Sequence, residues 1–210
     1  MALNEGVSWD QAGNTVTDSK SGSRVKDAFK GGKAEKVLLK AGTQLYKFNE
    51  YPTLGRGNEE EAKAANPRSS EASEYYSQIL SPWWSPYQPF KHDAGWQAKK
   101  QLASHLKVSV RELGRNTSAI KENWNSLKYL LVINLKQPTY AFFGGFSQMP
   151  RKDIGATSKM AVAGPEGMAD FVPEGKGGSA NLPGGATQFY LPNLRPNNVQ
   201  NWSSESLLNS

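Results

Sequence analysis

Lys47, the Trp83-Trp84 pair, Ser147 and Gln188 are the side chains whose types and placement could do chemistry, since each sits in or beside a short apolar run. A lysine at the end of a strand could neutralise an anionic group. Adjacent tryptophans could stack on a planar ring or a sugar face, and a serine and an amide could hydrogen-bond hydroxyls. Each has a plainer reading. Lys47 could be an edge residue that snorkels and discourages strand pairing, and Gln188 an outward polar residue of an alternating strand. One of the tryptophans would then fill the core, leaving the other for a ligand.

Other chemistries are poorly served. No stretch matches a phosphate-binding Gly-x-x-x-x-Gly-Lys-Ser/Thr loop, and Gly175-Lys176-Gly177-Gly178 lacks both the upstream glycine and a following apolar helix. His92 and His105 are the two histidines and there is no cysteine, so a disulfide framework and a thiolate zinc site are excluded and a metal enzyme is not expected. His92 beside Asp93 reads either as an oriented base or as a solvated residue near a helix cap.

The elements that must position these groups are legible in part. Val37-Leu38-Leu39 and Gln44-Leu45-Tyr46-Lys47-Phe48 read as the first core strand or hairpin. Ser81 to Phe90 holds three prolines and four aromatics, which reads as an irregular aromatic surface loop, neither helix nor central strand. A short surface helix is expected at 58–65 and an extended approach at 75–80. Asp93 and Ser109 look like caps for helices over 95–106 and 110–120. The leucines at 127, 130, 131 and 135 suit a third helix over 124–135, although Tyr129 to Ile133 would also make a buried strand. Tyr140 to Phe143 and Thr187 to Leu191 read as strands, and residues 150–185 as a Gly-rich loop, either a lid or passive disorder. The expected fold is α+β, a twisted, mostly antiparallel, split sheet with two or three central helices. Residues 1–36 read as a flexible arm, 37–195 as one globular domain and 196–210 as a polar tail.

In order along the chain, Gly42-Thr43-Gln44-Leu45-Tyr46-Lys47, the loop with Trp83-Trp84, Tyr140-Ala141-Phe142-Phe143-Gly144, and Thr187-Gln188-Phe189-Tyr190-Leu191-Pro192 resemble the strand motifs of the mono-ADP-ribosyltransferase fold. The resemblance spans roughly residues 37 to 195 and rests on short patterns. It implies a bacterial toxin or effector that uses NAD as substrate and modifies a macromolecular target, with an immunity or carrier protein as a further partner. Tyr46-Lys47 stands where the family has Leu-Tyr-Arg, whose Arg holds the NAD phosphates; a Lys keeps the charge and loses the bidentate fork. Ser147 is the nearest match to the serine supporting the nicotinamide pocket, and Trp83 or Trp84 would lie beside the nicotinamide. Gln188 replaces the family's Glu at the ribose, so the carboxylate's negative charge must be forgone or supplied by another acid, with Glu50 and Glu174 as candidates.

Composition keeps a rival open. At 210 residues, 37% apolar and 21% charged, the chain suits one globular domain, and its net charge of +6 is dispersed with no Lys/Arg block. A non-catalytic module using the Trp-Pro surface to bind a sugar or a protein accounts for the missing Glu. Single-stranded nucleic-acid binding lacks an interleaved basic-aromatic motif. The start lacks a signal-peptide pattern, and the apolar run 127–135 is about half the ~20 residues a membrane helix needs. The expectation is a protein cytoplasmic as made, exported, if at all, by a machine that needs no signal peptide.

Overall fold

The computed structural model describes residues 1–18, 21–54, 80–151 and 181–208. The surface helix expected at 58–65, most of the extended approach at 75–80 and most of the Gly-rich loop lie outside these residues.

Ser8 starts a single helical turn, α1 (Trp9–Gly13), as a capping box. Its Oγ accepts from Gln11 N at 3.2 Å and Gln11 Oε1 accepts from Ser8 N at 3.1 Å. Strands β1 (Val16–Asp18) and β2 (Ser23–Arg24) pair antiparallel, and 3-10 turns follow over Val25–Ala28 and Lys30–Gly32. In place of the expected flexible arm, this segment is a folded layer: Ala12, Val25 and Phe29 are buried with Phe142 and Tyr190. Its apolar residues are too few to form a core alone, but the turns gather them onto a sheet face built from residues far later in the chain.

Then come β3 (Glu35–Leu39), β4 (Gln44–Asn49) and β5 (Trp83–Pro86). Helices α2 (Gly95–Leu106) and α3 (Val110–Thr117) precede β6 (Tyr129–Leu135) and β7 (Thr139–Gly145). The two-residue strands β8 (Met149–Pro150) and β9 (Asn181–Leu182) pair with each other, and β10 (Thr187–Tyr190) and β11 (Val199–Ser206) complete the described chain. The main sheet has seven strands in the order β11-β6-β4-β5-β10-β7-β3, every neighbouring pair antiparallel. The fold is α+β, as expected from the sequence. β3 and β4 are not a hairpin, since β3 pairs with β7 at one edge while β4 pairs with β5 and β6.

Three elements differ from expectation for identifiable reasons. Tyr129–Leu135 is a strand: Leu131, Ile133 and Leu135 pack on one face and Leu130 on the other, so both faces are apolar and the leucine spacing mimics a helix. The polar tail supplies β11, an edge strand on β6 exposed from Gln200 to Ser206, where backbone pairing rather than burial selects the strand. The Trp-Pro run is a central strand only four residues long. Pro82 precedes it and Pro86 ends it, so no proline falls in its interior.

The helices cover half of one sheet face. Trp96 and Ala103 of α2 and Val110 of α3 pack with Tyr46, Phe48, Leu127 and Leu130. α2 ends at Lys107 in the left-handed conformation (φ 54°), and α3 starts where Ser109 Oγ accepts from Glu112 N at 3.1 Å. A Cβ at Gly114 would lie 2.2 Å from Phe48 Cζ, so only glycine lets α3 rest on that ring. The N-terminal layer covers the other half of this face through Phe142, Tyr190 and Trp83. The opposite face carries the third cluster, which includes Leu45, Trp84, Leu131, Phe143 and Phe189. No helix among the described residues is long and apolar enough to cross a membrane.

Candidate active site at the split in the sheet

β5 changes partner halfway along its length. Trp83 and Trp84 pair with Tyr190 and Phe189 of β10, whereas Ser85 and Pro86 pair with Tyr46 and Leu45 of β4. The sheet is therefore split beyond Trp84, and the pairing places Gln188 next to Ser85 across the gap. Strand alternation then sets Tyr46, Ser85 and Gln188 in a row on one face, with Trp83 and Tyr190 beside it, between the apolar cluster under α2 and α3 and the cluster under the N-terminal layer.

Polar groups fill this seam. Ser85 Oγ donates to Thr187 O at 3.3 Å, and Thr187 Oγ1 donates to Asp93 Oδ2 at 2.5 Å. Asp93 Oδ1 accepts from Gly95 N at 2.8 Å, and Lys99 Nζ reaches Oδ1 and Oδ2 at 3.3 and 3.1 Å. Burial raises the Asp93 carboxyl, but Lys99, the Thr187 hydroxyl and the Gly95 N–H outweigh it and hold the group below its ordinary value. Burial likewise lowers Lys99, and Tyr46 and Asp93 overcome this and raise it. Tyr46 Oη is buried in electrostatic contact with Lys99 and Ser85 but makes no well-aligned hydrogen bond, and its burial raises the phenol. Lys99 Nζ sits 5.3 Å from the centre of the Tyr46 ring.

A second charged group flanks the start of β10. Arg151 Nε donates to Glu122 Oε1 at 2.5 Å and Arg151 NH2 to Glu112 Oε1 at 3.2 Å, while Asn116 Nδ2 donates to Glu112 Oε1 at 2.7 Å. The end of α3 holds the same stretch through backbone bonds, Gly184 N to Asn116 O at 2.9 Å and Ala186 N to Thr117 O at 3.0 Å. Buried Arg115 pins the loop after α3 by donating to Ile120 O and Asn125 O. Burial lowers it to about 10 against the opposing pull of Glu122 and Glu112.

The residues singled out in the sequence fall into two groups. Gln188, Ser147 and Trp83 converge. Gln188 Nε2 donates to Ala28 O at 2.7 Å, Ser147 N donates to the same oxygen at 3.0 Å, and Trp83 lies between Phe29 and Tyr190, at 5.8 and 4.8 Å between ring centres. Tyr46 belongs to the same row, ~10 Å from Gln188 at two strand spacings. Lys47 does not join them. One residue on from Tyr46, it points to the other face, 5.8 Å over the ring of Trp84. Trp84 is a core residue, 2% exposed, with Nε1 donating to Ser81 O at 2.7 Å. Glu50 follows the end of β4, ~13 Å along the strand from Tyr46 and farther from Gln188. Glu174 lies outside the described residues.

Gln188 is itself 1% exposed and faces inward, which corrects the plainer reading of it as an outward polar residue of an alternating strand. A Cβ on its cross-strand partner Gly144 would lie 2.8 Å from Phe29 Cδ1 and 2.9 Å from Lys33 O, so glycine here admits the N-terminal layer. The sequence reading missed Ser85, Lys99 and Thr187, and saw Asp93 as a helix cap and a neighbour of His92. The N-cap of α2 is Ala94, which makes no side-chain cap bond; Asp93, one residue earlier, accepts from Gly95 N, and its ties to Lys99 and Thr187 depend on the fold. The one local signal was a lysine on the first turns of the helix after Asp93.

No protein-family model and no curated protein matches the chain. Among solved structures, that of Tne2 in complex with Tni2 aligns with a TM-score of 0.40 and 11% identity, over 83% of this chain and 92% of that one. A likeness of that size carries no argument, and the function rests on the residues.

Proposed function

We propose that this chain is an ADP-ribosyltransferase-like toxin or effector domain that cleaves NAD between nicotinamide and ribose. The observation that carries the reading is the inward-facing Gln188 in a central strand, at the split of an antiparallel sheet, with Trp83 and Ser147 beside it. In this reading the N-terminal layer that covers Gln188 lifts to admit substrate, the Gln188 amide then orients a ribose hydroxyl, and the indole of Trp83 lies against the nicotinamide. The C1′–N bond breaks with its electron pair leaving on nicotinamide, and an acceptor oxygen or nitrogen attacks the ribosyl cation and gives up a proton. An amide carries no charge to stabilise that cation, so orientation and exclusion of bulk water by the apolar clusters contribute more here than at a site with a carboxylate. The near carboxylate, Asp93, already accepts from Thr187, Gly95 and Lys99. With no other acid at the row among the described residues to activate a macromolecular nucleophile, water is the acceptor that requires least of them.

The test is nicotinamide release from NAD by the purified protein, with and without added acceptor protein. Release without acceptor that falls at least roughly a hundredfold in Gln188→Ala supports the reading, as expected for loss of a positioned hydrogen-bonding group in the transition state. No release, together with no NAD binding at millimolar concentration, refutes it and leaves a binding module that uses its aromatic surface.

A further inference from the structure

Thr187 immediately precedes Gln188, and its side chain makes the one charge-assisted bond that β10 forms among the described residues. Its acceptor, Asp93, is fixed from two further directions, by Gly95 N at the entry of α2 and by Lys99 one turn further along that helix. The carboxylate is 5% exposed and the ammonium 19%, so water does little to loosen the arrangement. The backbone bonds from the end of α3 hold Gly184 and Ala186, just before the strand, whereas the Asp93 link acts within it.

We propose that Asp93 is a positioning residue for Gln188, holding β10 against the start of α2 through the Thr187 hydroxyl so that the Gln188 amide keeps its place beneath Ala28. The inference rests on the reading of Gln188 as the residue that meets the ribose, and it adds a device that neither the resemblance nor the cap pattern contains. A merely structural pair would contribute to stability and leave the amide where it is.

Thr187→Val removes the hydroxyl while keeping the shape, and Thr187→Ser restores it. Two readouts are taken on the folded proteins, hydrogen exchange of the Gln188 side-chain amide by NMR and kcat and KM for nicotinamide release. In Thr187→Val, amide exchange should quicken roughly tenfold or more and kcat should fall by a similar factor with KM within about twofold, the scale of one lost charge-assisted hydrogen bond. Thr187→Ser should return both toward wild type. If Thr187→Val does not fold, Asp93→Asn is read instead, since its remaining oxygen can still accept from Gly95 N. Exchange of the Gln188 amide within about twofold of wild type in the folded variant overturns the proposal. A wild type that releases no nicotinamide overturns the NAD reading alone, because the exchange measurement still decides whether Asp93 sets the amide.

Discussion

Phe29→Ala tests the docking of the N-terminal layer over Gln188. The ring is 1% exposed, stands edge-on to Trp9 at 5.1 Å and lies 5.8 Å from Trp83, with Gly144 beneath it offering no side chain to fill a vacancy. Truncating a buried Phe to Ala removes the transfer energy of the ring and leaves a cavity, together about 3–5 kcal/mol. The lower end of that range is expected, since Ala28 O stays tied to Gln188 Nε2 and Ser147 N and the turn can settle inward. Against a total of about 5–15 kcal/mol for an ordinary domain, such a loss is large. Urea unfolding followed by tryptophan fluorescence and by far-UV circular dichroism would measure it. An unchanged m value means that the whole domain has lost stability; a smaller one means that the layer has come off the native state. A loss below about 1 kcal/mol with the m value unchanged, and rapid proteolysis of residues 1–36 in the wild type, would refute the docked layer and restore the flexible arm.

Trp84→Ala should cost about 3–5 kcal/mol in chemical denaturation as a core truncation, and the half-buried Trp83→Ala less, with its larger effect on NAD turnover. Gln188→Glu places a carboxylate against Ala28 O in a buried site, so its folded pKa should rise above the ordinary ~4.3. The variant should then lose stability relative to wild type as pH climbs from 4 to 8, measured by thermal melting. Wild-type Asp93 has the opposite sign: its pKa is held down in the folded state, so its contribution is present above the ordinary value near ~3.9 and is lost as pH falls through the depressed one. Acid titration of Asp93→Asn should accordingly show a flatter decline of stability below about pH 4 than wild type.

What could be read from the chain depended on how locally each feature is determined. A short aromatic run closed by Pro192 marked Thr187 to Tyr190 as a strand, and cap patterns marked Gly95 and Val110 as helix starts. Tyr129–Leu135 resisted reading because a strand buried on both faces has no alternation to show. β11 resisted because an exposed polar strand has no apolar signal, only a neighbour's free edge. The site followed the same rule. Gln188 stood out as an amide in an apolar strand, but its bond to Ala28 joins residues 160 apart, and the Thr187–Asp93 bond joins residues 94 apart. The one-residue step from Tyr46 to Lys47 puts the two side chains on opposite faces of any strand, yet which face carries Gln188 appears only when the neighbouring strands are known.

The place of β10 in the sheet also governs when the protein can fold as it is synthesised. It is fifth of seven across the sheet but next to last of those strands along the chain. Until residues 187–190 emerge, β5 and β7 face each other across an unfilled gap, and β4 and β6 are joined to neither β7 nor β3. Pairings of such long sequence separation form slowly, and unpaired edges held open in the meantime invite association with other chains. A nascent chain stopped just before Thr187 should therefore be protease-sensitive throughout its sheet, and chains a few residues longer should become resistant in one step. The strand bearing Gln188 would thus be the piece whose arrival joins the two halves of the sheet, with only the edge strand β11 still to add.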